Sequence, residues 1–167
     1  DPEVRAVVLT GTGDRAFCAG MDLRSMAGDR GPAPSEEAMA HFHRFLAGQV
    51  GVPIVGAANG SAHGGGLELL SGCDVIVASD EAVLGLPEVR RGMIPGGNGT
   101  AIGRRIPHGV AMELLLTGES ITAQRARDLG LVNEVVEPAA VLGTAVALAE
   151  RIAANAPLAV AAAKELA

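Results

Sequence analysis

Three consecutive glycines, Gly64 to Gly66, stand between an apolar run that closes at Ala58 and the segment Leu67-Glu68-Leu69-Leu70. No other stretch restricts the fold as strongly. Removing three successive β-carbons where a chain turns lets another strand, or a ligand, come against the backbone. The residues after the turn read as a short helix. Its first N–H groups have no intrahelical acceptor and favour negative charge in front of them. Glu68 lies inside this otherwise apolar segment, where a carboxylate is costly unless a neighbour satisfies it. A second carboxylate, Glu88, follows a second glycine turn, Gly85-Leu86-Pro87. Anion-favouring amides beside two sheltered acids have the composition of an acid–base site. The residues alone equally allow a purely structural turn with Glu68 at its solvent edge.

The remaining chain supplies the frame. Its 167 residues are 49% hydrophobic, enough for one sizeable core, built mainly from Ala, Val, Leu and Ile because Trp and Tyr are absent and only three Phe occur. A net charge of −6 with no extended basic cluster argues against a nucleic-acid groove. Small anionic ligands remain possible through local amides and a few arginines. Cys18 and Cys73 form neither a metal-binding nor a disulfide-dense pattern, so they are expected to be reduced, buried thiols of a cytoplasmic protein. His41 and His43, two apart, cannot share a helix face and are not a metal pair. No apolar run approaches the roughly 20 residues needed to span a bilayer.

Val4 to Thr10 reads as a strand buried on both faces. The following Gly11-Thr-Gly-Asp-Arg-Ala16 has the spacing of a dinucleotide fingerprint, but Phe17 to Gly20 continues as loop or extended chain where that motif requires a helix. Met21 to Ala27 fits a short helix and Gly28 to Ser35 a loop. A helix from Glu36 to about Ala47, capped by Ser35, would bury Phe42, Phe45 and Leu46. Further strands are expected at 53–57, 74–78, 82–84 and 132–136, and helices at 107–116, 122–129, 138–154 and from 157. Glu88 to Ile94, between Pro87 and Pro95, should be fixed loop. Gly96-Gly-Asn-Gly-Thr100 lacks the lysine of a phosphate loop and reads only as an open helix start packed under another element. Alternating strands and helices define an α/β chain, with short strands and glycine turns suggesting stacked or spiral sheets.

Five ordered segments together resemble the enoyl-CoA hydratase/isomerase family, also called the crotonase superfamily. They are Arg15 to Leu23, Asn59 to Glu68, Gly85 to Val89, Arg91 to Thr100 and Thr117 to Asn133. The resemblance implies a crotonase-like spiral of ββα units, with residues 1–137 as a partial core and 138–167 opening a C-terminal helical region. It also implies an incomplete chain, lacking the first strands and last helices of the fold. By motif position, the backbone amides of Met21 and Gly65 would hold an acyl-CoA thioester oxygen. Glu68 and Glu88 would be the catalytic acids, and Ala19, Asp22, Leu23, Gly64 and Pro87 would line the substrate. The implied activity is hydration of a 2-trans-enoyl-CoA. Δ3-Δ2-enoyl-CoA isomerisation and a non-catalytic acyl-CoA-binding or assembly role are the alternatives. No metal and no cofactor beyond the coenzyme A of the substrate are expected. The expected partners are the acyl-CoA itself and further copies of the chain in a trimer or dimer of trimers, with no nucleic acid and no membrane.

Overall fold

The computed structural model describes residues 3–22 and 34–167. Along these residues the chain passes repeatedly between two sheets. Strand β1 (Val7–Thr10) belongs to the first sheet and β2 (Ala16–Cys18) to the second. After helix α1 (Glu36–Leu46), β3 (Ile54–Ala58) returns to the first sheet and β4 (Ser61–His63) to the second. Helix α2 (Gly65–Ser71) then precedes β5 (Val75–Ser79) and β6 (Val83–Gly85), which repeat the step. Each turn therefore adds one strand to each sheet beside its predecessor. The resulting pairs β1–β3, β3–β5, β2–β4 and β4–β6 are all parallel. This is the ββα spiral.

The second half closes that frame. Short 3₁₀ helices at Pro87–Arg91 and Gly99–Arg104 lead into α3 (His108–Thr117). Strand β7 (Ser120–Thr122) pairs antiparallel with β6, and α4 (Ala123–Asp128) follows, capped by the Thr122 hydroxyl accepting from Arg125 N at 3.1 Å. Strand β8 (Glu134–Val136) completes the first sheet beside β5. A 3₁₀ turn at Pro138–Ala140 opens α5 (Val141–Ala153), and α6 (Pro157–Leu166) follows.

The first sheet is covered on both faces, which explains why β3 is buried at every residue. Ile54 and Ala58 belong to the main core with Leu67, Leu70, Ile76 and Leu86. Val55, Ala57 and Val77 pack on the other side against Val141, Ala145 and Ala149 of α5. Small residues on that helix let it lie close to the strands. The first helix of residues 138–167 is thus packed directly on the core.

Several expectations need correction. β1 is an edge strand of its sheet, and Val4 and Val7 are exposed, so its continuous apolar run is not buried on both faces among the described residues. Glu88 lies in a 3₁₀ helix, since Pro87 at its first position presets a helical φ instead of breaking regular structure. Phe42 is exposed because it lies one turn outside the core edge occupied by Phe45 and Leu46. Residues 61–63 and 120–122 are strands, each three residues long and held by lateral pairing, while the extended reading at Phe17 agrees with β2. The expected helix at 21–27 and most of the 28–35 loop lie outside the described residues.

Candidate active site

The triglycine turn joins β4 to α2, and each glycine meets a different requirement. Gly64 has φ 57° and ψ −127°, a conformation that a side chain would strain, and its N–H donates to Gly85 O at 2.9 Å. Gly66 abuts β2 so closely that a β-carbon would overlap the Cys18 carbonyl oxygen. Gly65 occupies the open position between them. A β-carbon there would lie 4.0 Å from Met21 N and 3.9 Å from Glu68 Oε2. From the other side, a β-carbon on Gly20 would come within 3.4 Å of Gly65 N. The amide nitrogens of Met21 and Gly65 are therefore neighbours beside the Glu68 carboxylate. No backbone acceptor among the described residues takes either N–H.

Helix α2 carries Glu68 inward, and only 6% of the residue is exposed. A solvent-edge position for it is thereby excluded. Its Oε1 accepts two backbone N–H groups, Gly97 at 2.9 Å and Gly99 at 2.8 Å. Neither glycine has room for a side chain: a β-carbon on Gly97 would lie 2.7 Å from Oε2, and one on Gly99 would lie 2.9 Å from Oε1. The segment expected only to open a helix is in fact the receptor for the carboxylate. Its sequence signal, two glycine amides on either side of Asn98, was available but pointed to no particular partner. At its far end α2 is closed by Arg105, whose Nη1 donates to Ser71 O at 2.7 Å and Cys73 O at 2.8 Å.

Glu88 approaches from the 3₁₀ helix. Its Oε1 would lie 3.0 Å from a β-carbon on Gly64, so the carboxyl faces the triglycine turn. Its Oε2 is buried and has no hydrogen-bond partner. Burial pushes this carboxyl above the ordinary carboxylate range. A backbone hydrogen bond partly offsets the rise, and the nearby Glu68 charge adds to it. The two acids thus differ in kind. One is held by amides as an acceptor, and the other is biased toward holding a proton.

Of the residues expected at the site, Met21, Gly64, Gly65, Glu68 and Glu88 converge here, and Pro87 starts the helix that carries Glu88. Ala19 and Asp22 are exposed on the loop to either side of Gly20 and Met21. Leu23 lies outside the described residues. Gly11 to Ala16 leads into strand β2, so no helix opens at those glycines as a dinucleotide motif would need. Among the described residues no group of His, Cys, Asp and Glu is placed to hold a metal ion.

A family model described as enoyl-CoA hydratase/isomerase matches residues 1–167. The chain belongs to this family. Among its relatives, (E)-benzylidenesuccinyl-CoA hydratase of Thauera aromatica is 45% identical over 175 aligned residues, covering 100% of this chain and 66% of that protein. Mitochondrial enoyl-CoA hydratase of Pongo abelii is 40% identical, covering 99% of this chain and 57% of its own length. The solved structure of a carnitinyl-CoA dehydratase from Mycobacterium avium 104 superposes with a TM-score of 0.91 at 47% identity, over 99% of this chain and 65% of that one. The chain thus spans about two thirds or less of the length of these family members, and the ββα spiral it contains is the family's fold.

Proposed function

We propose that the whole protein is an enoyl-CoA hydratase that adds water across the 2-trans double bond of an acyl-CoA thioester. One observation carries this reading: an amide-fixed carboxylate and a proton-biased carboxyl face the same turn, beside two neighbouring backbone amides. The relatives named for hydration or dehydration of acyl-CoA thioesters support it. The Met21 and Gly65 N–H groups would donate to the thioester oxygen and stabilise the charge that develops there. Glu68 orients water and takes its proton as the new C–O bond forms at the β-carbon, with the displaced electron pair moving onto the thioester oxygen. Collapse of that enolate then forms a C–H bond at the α-carbon with the proton held by Glu88. The proton on Glu68 returns to Glu88 to reset the pair, which titrates as a unit. The reading needs no metal and no cofactor other than the coenzyme A of the substrate.

Loss of the enoyl absorbance of crotonyl-CoA on addition of the purified protein tests the activity. Glu68→Gln and Glu88→Gln should each slow hydration by about 10²–10⁴-fold, the usual worth of a general acid–base step, with little change in CoA binding. Near-normal hydration by Glu88→Gln would remove it from the mechanism. Full Δ3-Δ2 isomerisation without hydration would establish the isomerase alternative.

The same reading places the protein in the cytoplasm, with its cysteines unpaired, and assembles it as a trimer or dimer of trimers, without nucleic-acid or membrane partners. Exposed Leu142 and Val146 on α5 and Leu158 and Leu166 on α6 offer apolar surface for such contacts. No single helix among the described residues is long and apolar enough to cross a membrane. Light scattering of the whole protein should give a trimeric or hexameric mass, and a concentration-independent monomer would refute the assembly.

A further inference from the structure

The two amides that hold Glu68 come from a segment that glycine leaves loose. Gly96, Gly97 and Gly99 surround a single residue with a side chain, Asn98. Such a run has many backbone conformations of similar energy, and only some aim both N–H groups at one oxygen. Something must select among them. The Asn98 side chain donates from Nδ2 to Leu46 O at 2.9 Å. Leu46 is the last residue of α1 and 2% exposed, and its carbonyl is one of the unpaired acceptors that a helix leaves at its C-terminus. This contact spans 52 residues of sequence and anchors the turn to the end of α1.

The space around the turn is also closed from both sides. A β-carbon on Gly97 would lie 2.6 Å from Leu46 Cδ1 and 2.7 Å from Glu68 Oε2. The backbone at 97–99 is therefore clamped between Leu46 and the carboxylate, with the Asn98 bond as its polar fastening. Both amides meet Oε1, so Oε2 is the oxygen left facing Gly65 and its free amide.

We propose that Asn98 is a positioning residue for Glu68. By holding Leu46 O it sets the turn whose two amides fix Oε1, and thereby selects Oε2 as the oxygen presented to water. This rests on the hydratase reading for its kinetic consequence, although the geometric consequence stands apart from it.

The test uses the whole protein with Asn98→Ala and Asn98→His, alone and combined with Glu68→Gln. Histidine can place a ring N–H where the asparagine amide lies, while alanine leaves Leu46 O unpaired. Asn98→Ala should lower kcat for crotonyl-CoA by about 10–100-fold, as expected of a misplaced reacting group, with KM changed much less. Asn98→His should recover most of that loss. In the Glu68→Gln background Asn98→Ala should cost little further, because residues acting through one group are not additive. Equal losses in both backgrounds, or a change in KM alone, would overturn the proposal. Amide hydrogen exchange of the peptide spanning 96–100 gives a readout that does not need activity: Asn98→Ala should lose protection at Gly97 and Gly99, and Asn98→His should keep it. If the wild-type protein does not hydrate crotonyl-CoA, the functional reading fails while exchange still decides for or against the role of Asn98. Unchanged protection in Asn98→Ala would refute that role outright.

Discussion

Glu88 has an unbonded, buried carboxyl oxygen and a raised proton affinity, so its ionisation opposes folding. The sign follows from linkage. The native state binds the proton more tightly than the unfolded chain, so stability from this group is complete below the unfolded carboxylate range. It is lost as pH rises through the higher native value. Glu88→Gln removes the charge and with it this loss. We expect the variant to melt at a higher temperature than the wild type at neutral pH, and the difference to shrink toward acid. Paired thermal melts from pH 4 to pH 8 would show this, and a lower melting temperature for Glu88→Gln at neutral pH would contradict it. The same substitution should nearly abolish hydration. Stability and activity would then move in opposite directions at one residue, as expected where a carboxyl is kept poorly solvated for chemistry.

At the level of elements, α2 is short, and its position rests on contact with β2 more than on its own seven residues. Gly66 makes that contact, and Gly143 in α5 is its natural control, since a β-carbon at Gly143 meets nothing within 4 Å. Gly66→Ala should destabilise by about 1–3 kcal/mol, the range for overpacking, and should lower activity because Glu68 lies two residues further along the same helix. Gly143→Ala should stabilise by about 0.5–1 kcal/mol through helix propensity alone. Urea unfolding of the two variants checks both signs. A tolerated Gly66→Ala would mean that α2 can move away from β2 without loss, contrary to the close approach of Gly66 to the Cys18 carbonyl.

Across the whole molecule, the C-terminal helix is fastened to the sheet by one polar cluster. Lys164 Nζ on α6 lies 2.6 Å from Asp74 Oδ2 and donates to Val52 O at 3.1 Å. Asp74 Oδ2 also accepts from Ile54 N at 2.7 Å. The cluster thus joins the chain just before β5, the start of β3 and the last helix, and both charged side chains are largely sheltered. Lys164→Met would keep much of the apolar stem but leave Asp74 without its cation. A cost of about 1.5–3 kcal/mol is expected, the range for hydrogen bonds to charged groups, and it should show as a lower unfolding midpoint. A cost near zero would place this pair with ordinary surface ion pairs.

Much of this architecture was readable from residues close together in the chain. The β-branched run at 75–77 and the capped helices at Ser35 and Thr122 follow from side-chain stereochemistry over a few positions. The same holds for the triglycine turn and for the presence of two acids beside glycine turns. The strands β4 and β7 were not readable in this way, because what holds them is hydrogen bonding to neighbours across the sheet. The pairing of Glu68 with Gly97 and Gly99 was hidden for the same reason. Those partners lie 29 and 31 residues away, and local stereochemistry does not reach that far. Which oxygen of Glu68 is held, which oxygen of Glu88 is left bare, and which carbonyl anchors Asn98 depend on how separate elements pack, where a buried polar group must find whatever partner the fold brings to it.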